Sequence, residues 1–450
     1  MNQISLFQAS DYYSPKWYIF KNTELGRIYD SIPWESLSTC LPNQKKNRPG
    51  AVNWFSNAGM FGVMFLKHYT NLSDEKLLDR INTDWAMQLF CGILLEDNEL
   101  IKDRAIVSRI RSKISKQADL LTDVQKKLID HWSGYMEDTD EMHMDASCYE
   151  SYIRFPTDVK LLWECCHWIF EKQLFGYCKK LGVKRPRSKY SEQIIKQLNY
   201  SRKRRKTYKQ TRARRKSLLY LLSQGIDQLK EILSGYQTQL NIELGYFINI
   251  ATIEKILEQQ QYLFDNPQGR VEGRIVSLHK PYVRPIKRGK ENKSTEFGMK
   301  LHKVQVDGIS QIDQMSFDNF NECTRLQACV EQHKKQFGEC NRLGADQIYA
   351  TNANRSFLTP QKVITCFPKK GKDNSTKEEK ETRSAIGKTR STQLEGSFGN
   401  EKNHYGLRKV KALSEGTEKV WVFFGIMTTN AVKISKRKLA GKTSSQQKAA

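Results

Sequence analysis

Between Arg202 and Lys216 the chain reads RKRRKTYKQTRARRK, ten basic residues in fifteen with no acidic one. A segment of that kind has no charge partners of its own, so it cannot form a salt-bridged face or enter a core unaided. It belongs on a surface that meets something negative. Tyr200 and Tyr208 are interleaved with it. The whole chain leans the same way, with a formal net charge of +25 and a pI near 9.5. A charge of that size favours a polyanionic partner, and nucleic acid is the commonest. The expected phosphate contacts are Arg202, Lys203, Arg204, Arg205, Lys206, Arg212, Arg214 and Arg215. A nuclear-localisation-like signal is the other use such a run can have.

The remainder is that of a globular protein. At 450 residues with 38% hydrophobic and 10% aromatic content, two or three domains with a sizeable core are expected. No run of eighteen apolar residues is present, and MNQISLFQASDYYSPKWYIF lacks the basic and apolar regions of an export signal. A cytoplasmic protein without membrane contact is expected. The ten cysteines form no CxxC pair and read as reduced, mostly buried thiols. Cys165, Cys166 and His167 are adjacent, but neighbours on a helix diverge by ~100° each and make a poor metal cage.

Periodicity divides the chain. An apolar run over 51–67 predicts a buried helix, and Ser73 with Asp74 and Glu75 opens another. A helix from Asp84 follows. The next, from Ile101 to about Leu120, carries Arg104, Arg109, Arg111 and Lys113. Such an arrangement fits either a helix-turn-helix or an amphipathic bundle with a solvated face. Residues 140–158 read as a short strand ending at Pro156, followed by a helix capped by Thr157. Residues 159–265 read as all-helical, with a hairpin over 218–264 broken near Gly235. After Asn266-Pro267 the pattern turns to strands. Runs over 273–283 and 297–308 predict an antiparallel ribbon across a basic loop. Ser316 is placed to cap a helix through Val330, and strands are expected around Asp346 and over 362–367. Residues 368–390 are charged and poor in apolar side chains, which predicts mobility. The run KVWVFFGIMTTNAVKI is expected as helix, and the basic stretch after Lys436 as a disordered tail.

A helix is also expected from Arg390 to Lys409. Glu395 and Lys402 are seven residues apart there, two turns, hence on one face and ~10 Å apart along the axis. A carboxylate that can hold a metal would stand near an ammonium that can hold a phosphate. Asp145 in the first strand and Asp346 in a later one supply two more carboxylates from other elements, as two divalent ions would need. Spacing alone does not single them out, and Asp307 and Glu401 are rivals.

The segments HMDASCYESYIRFPTDVKLL, RGKENKSTEFGMKLHKVQVDG, SFDNFNE, GADQIYATNANR and EGSFGNEKNHYGL occur in that order. Together they resemble bacterial insertion-sequence transposases of the DDE type, in the branch grouped as insertion-sequence family five. NLSDEKLLDRINTDWAMQLFCGIL resembles the N-terminal domain of the same proteins, and the resemblance covers roughly residues 55–430. It implies an α/β (α+β) multi-domain fold: an RNase H-like mixed-sheet catalytic core over 140–158 and 266–435, with an N-terminal helical DNA-binding domain over 1–139. Residues 159–265 would be an all-helical basic insertion and 436–450 a tail. It implies that Asp145, Asp346 and Glu395 bind Mg2+ (or Mn2+), and that Lys402 touches double-stranded DNA of the transposon ends. The partners it implies are those ends, target DNA and further copies of the chain, in a bacterial cytoplasm near the nucleoid. One departure stands out. The related pattern has an arginine four residues before the glutamate, where this chain has Ser391, and Arg390 is one step off. On a continuous α-helix Arg390 would sit about 140° away from Glu395, so either a loop lets Arg390 reach in as a DNA phosphate contact or that contact is lost. Two other readings remain open at this stage: a non-catalytic DNA-binding protein, such as a decayed transposase or repressor, and a nuclease of the same fold without strand transfer.

Overall fold

The structure is a computed structural model that describes residues 15–42, 53–96, 98–117, 119–236, 244–287, 295–371 and 374–449. Contacts divide the chain into a first unit, residues 1–152 with 299–450, and a second, residues 153–298.

The first unit opens with short helices. In the Asn57–Thr70 helix, Met60, Phe61, Val63, Met64, Phe65 and Leu66 are all buried, so it is apolar on every side and must be covered on every side. Part of its cover comes from the far end of the sequence. Phe424, on the Glu415–Ala449 helix, stacks on Phe61 at 5.9 Å and meets Phe65 edge-on at 5.4 Å. That terminal helix is therefore core to the N-terminal bundle, and it runs on through the stretch after Lys436 that was expected to be a disordered tail. Ser73 caps the Asp74–Thr83 helix by accepting the Lys76 N–H, as expected. The arginines nearby are paired with carboxylates of the same unit, Arg111 inside the bundle and Arg104 and Arg109 on its surface. Arg111 is 4% exposed, donates to both oxygens of Asp74 at 2.9 and 3.0 Å and lies over Trp421, while Arg104 pairs with Glu75 and Asp79 and Arg109 with Asp103.

The sheet of this unit has the order β4-β3-β1-β5-β6. The strands are β1 (Glu141–Glu150), β3 (Thr295–Val306), β4 (Ile309–Ser316), β5 (Arg342–Ala345) and β6 (Ile364–Thr365), and a short β2 (Arg284–Lys287) pairs with the first residues of β3 inside the second unit. β5 runs parallel to both β1 and β6. β3 and β4 form an antiparallel hairpin across Asp307-Gly308, whose φ values of 46° and 73° are those of a two-residue primed turn. The first strand therefore lies centrally in a mixed sheet, with an antiparallel hairpin on one side and parallel strands on the other. The Leu326–Phe337 helix packs Leu326, Cys329 and Val330 against Val304, Val306 and Leu343 to make its core.

Three local expectations are corrected. The run over 273–283 is not a strand, and β3 takes β4 as its main partner because Asp-Gly closes the hairpin immediately. Ser316 ends β4, and Asn321 is the side chain that caps the following turn. Residues 377–389, expected to be mobile, form a helix opened by a capping box in which Thr376 and Glu379 satisfy each other's backbone N–H groups. The basic loop over 288–294 and the link over 237–243 lie outside the described residues.

In the second unit the helices Asp158–His167 and Phe175–Leu181 are joined through a π-helical turn over Trp168–Leu174, followed by helices Tyr190–Arg202, Tyr208–Gly235 and Leu244–Asp265. Thr157 caps the first of them, accepting the Lys160 N–H. Leu162, Cys166, Ile169, Phe170, Leu222 and Ile226 are part of the core. A Cβ on Gly225 would come within 2.7 Å of the Phe170 ring, so glycine lets the long helix close on the π turn. Among the described residues no helix is long and apolar enough to cross a membrane.

Candidate active site

β1 and β5 bring the two aspartates together. Their parallel register pairs Met144 with Ala345 on strands ~4.8 Å apart, and the next residues are Asp145, within β1, and Asp346. Asp346 lies just past the end of β5, not in a strand as expected, and caps a short 3-10 turn. Along β1 Asp145 is the one position between Glu141 and Glu150 that is not fully buried. Both aspartates hold the same local pose. Asp145 Oδ1 accepts the Ala146 N–H and Asp346 Oδ1 accepts the Gln347 N–H, each at 2.7 Å. Burial raises the Asp145 pKa above the ordinary aspartate value; the Ala146 N–H and Arg390 oppose the rise, and Asp346 and Glu395 add to it.

Glu395 reaches the same place through a change of helix type. The helix that starts at Lys377 does not end before Glu395; it passes through a π-helical turn over Arg390–Leu394 and continues as Glu395–His404. The Glu395 N–H donates to the Arg390 carbonyl, five residues back, where an α-helix would bond four back. That wider turn removes the misalignment of a regular helix and brings residues five apart onto one face. Arg390 then lies 3.0 Å from Glu395 Oε1 and 3.4 Å from Asp145 Oδ2. The arginine that stands one residue out of place in the sequence is in contact with both carboxylates in space.

The helix carrying Glu395 is held to the sheet by a buried ion pair. Lys303 of β3 and Glu401 are both fully buried and 2.7 Å apart. Lys303 also donates to Ser397 Oγ at 2.7 Å and lies 3.9 Å over the Phe398 ring, and Tyr149 of β1 donates its hydroxyl to Glu401. Burial lowers the Lys303 pKa against the pull of Glu401, and burial together with Glu401 raises that of Tyr149. Glu401 is thus a tether rather than a metal ligand. Asp307, the other rival, sits in the β3–β4 turn, where it accepts from the Glu137 N–H and from Arg437. Sequence reasoning missed Lys303 and Tyr149, because nothing local marks a strand lysine whose partner lies 98 residues away. Lys402 donates to Ser147 Oγ at 2.9 Å and lies over the Tyr149 ring, which keeps it beside β1.

The donor set suits a hard divalent cation, since all three candidates are carboxylates. They do not converge on one point. Among the described residues the grouping of three donors within 4.8 Å of one another is His302, Asp313 and Cys329. In that group Asp313 is taken by Arg325 at two bonds of 2.9 Å and by His302 at 2.8 Å, and the other His302 nitrogen meets the Tyr349 hydroxyl at 2.8 Å. It is a satisfied structural network. At the aspartate pair, Arg390 supplies positive charge between Asp145 and Glu395, and two ions ~3.5–4 Å apart do not need all three carboxylates on one centre.

The basic run lies in the second unit, across the end of one helix and the start of the next. Arg202, Lys203, Arg204, Arg205 and Lys206 are exposed. Arg214 is not a surface contact as expected. It is 6% exposed, donates to Gln197 Oε1 at 2.9 Å, to the Gln193 carbonyl at 3.1 Å and to the Gln193 side chain, so a guanidinium in this run is buried by borrowing amide acceptors. Arg212 donates to the Phe264 carbonyl and stacks on that ring, and Arg215 is drawn to Asp158.

Residues 16–113 match a family model described as a transposase domain (DUF772), so this part of the chain is similar to a transposase domain. A curated relative, an uncharacterized protein ORF8 of the nfe locus of Rhizobium meliloti, is 24% identical over 163 residues, covering 35% of this chain and 74% of its own length. No solved structure matches the chain.

Proposed function

We propose that the chain is a DDE transposase of the kind its sequence resembles. It would bind the terminal inverted repeats of an insertion sequence, cut to release 3′ hydroxyls and join them to target DNA. The observation that carries this reading is the placement of Asp145 and Asp346 side by side, with Glu395 tied to Asp145 through Arg390. Asp145, Asp346 and Glu395 would hold Mg2+ or Mn2+, whose chemistry is to activate an attacking oxygen and stabilise a leaving one at phosphorus. The chain's own residues do the positioning. Lys303, Tyr149 and Glu401 hold the Glu395 helix on the sheet. Arg390 neutralises the carboxylates and is placed to turn to a phosphate, and Lys402 offers a second ammonium beside β1. The exposed arginines and lysines over 202–206 would grip the DNA backbone, with assembly of two or more copies on the ends. Asp145→Asn should abolish metal-dependent cutting of end DNA while leaving its binding largely intact. Undiminished cutting by that variant would remove Asp145 from the reaction, and loss of binding as well would leave only a structural role.

A further inference from the structure

The second unit holds a cavity of about 1020 Å3 whose lining combines aromatic faces with cations. That volume is at the top of the ~300–1,000 Å3 range of ligand clefts. Phe155 is 64% exposed and meets Phe297 edge to face at 5.7 Å, and both rings line the cavity with Tyr200. Five cationic side chains line it against one carboxylate, Asp158. That carboxylate serves two guanidiniums at once, Arg274 at 2.6 Å and Arg215 at 3.6 Å. Neither arginine is saturated: Arg215 Nε and Nη2 and Arg274 Nε are buried without a hydrogen-bond partner. Buried guanidinium donors left without acceptors are costly unless a ligand answers them.

We infer that this cavity takes one unpaired nucleotide of a DNA strand, its base against Phe155 and Phe297 and its phosphate beside Arg215 and Arg274. The inference rests on the transposase reading and deepens it. A paired backbone passing over the protein would use the cations but not the ring faces, because duplex bases present only their edges. An unpaired nucleotide brings both a π-face and a phosphate, which are the two chemistries this lining offers. Lys206 lines the same cavity and is the last cation of the exposed run over 202–206, so the strand gripped there leads to the cavity's edge.

The test uses the full chain carrying Asp145→Asn, to prevent cutting, and two duplexes that differ only in one unpaired 2-aminopurine. The expected result is at least about fivefold tighter binding of the bulged duplex, with quenching of the probe, since stacking on an aromatic ring changes affinity by roughly 5- to 150-fold. Adding Phe155→Ala, at an exposed ring that folding does not need, should erase both the preference and the quenching while paired-duplex affinity stays within about twofold. Arg274→Gln should weaken the preference without abolishing quenching. Equal affinity for the two duplexes, or a preference that survives Phe155→Ala, overturns the inference alone. Failure to bind either duplex overturns the DNA reading beneath it.

Discussion

The buried pair between Lys303 and Glu401 makes a quantitative prediction. Both side chains are fully buried, so replacing one leaves the other's charge out of solvent and without its counter-ion, held only by the neutral Tyr149 or Ser397 hydroxyl. Removing one member of such a pair costs ~3–5 kcal/mol, whereas replacing both by uncharged residues is often close to neutral. Lys303→Met and Glu401→Gln should therefore each lower the melting temperature of the metal-free protein by roughly 5–8 °C, since an unfolding entropy of ~2.1 cal/mol/K per residue over a unit of about 300 residues gives ~1.6 °C per kcal/mol. The double variant should recover at least about half of the summed loss, because neither orphaned charge remains. Calorimetric melting of the four proteins in one buffer completes the cycle. Strictly additive losses, or single losses below about 0.5 kcal/mol, would refute the idea that this pair clamps the Glu395 helix to the sheet.

Three further outcomes are expected. Deleting Thr392 leaves the arginine four residues before the glutamate, about 40° apart on a regular helix. The variant should keep its Arg–Glu contact and cut end DNA within about threefold of the parent, since a plain α-turn then does what the π turn did; a variant as inactive as Arg390→Ala would show that the wide turn itself is needed. Burial makes Asp145 hold its proton more tightly when folded than unfolded, so its contribution to metal-free stability is greatest below the ordinary aspartate pKa and lost as pH rises through the raised one. Urea titrations should find Asp145→Asn more stable than the parent near neutral pH and not in acid; the same difference at both would refute this. Arg214→Ala should lower stability and leave the salt slope of DNA binding unchanged, while alanine at Arg202–Lys206 should make a slope of roughly −5 to −7 shallower by several units.

Much of the core was legible because local signals agree with the fold there. Ser73 and Thr157 cap where their spacing says, and the change of period after Pro267 marks the passage from helices to sheet. The aspartates could be named through resemblance, but their adjacency depends on a parallel register between strands some 200 residues apart, which no local pattern encodes. Arg390 looked misplaced because helical geometry was taken as uniform; a single π turn rewrites the angular arithmetic. Arg214 was misread for the opposite reason, since its charge is answered by neutral amides of Gln193 and Gln197 that a count of acidic residues does not include. The helix over 377–389 was hidden by its own charge, because a surface helix with a sound cap needs few apolar side chains.

The packing of Phe424 on Phe61 and Phe65 also bears on the order of events during synthesis. The N-terminal helices are made first, yet part of their apolar cover arrives about 360 residues later. At 5–20 residues per second that is a delay of roughly 20–70 s. Throughout it the Asn57–Thr70 helix lacks one of its walls, and an interrupted chain never gains it. A nascent or truncated product would therefore present an incomplete bundle, open to chaperones and proteases, and the transposase-matching region would mature only after the sheet and its carboxylates had been made.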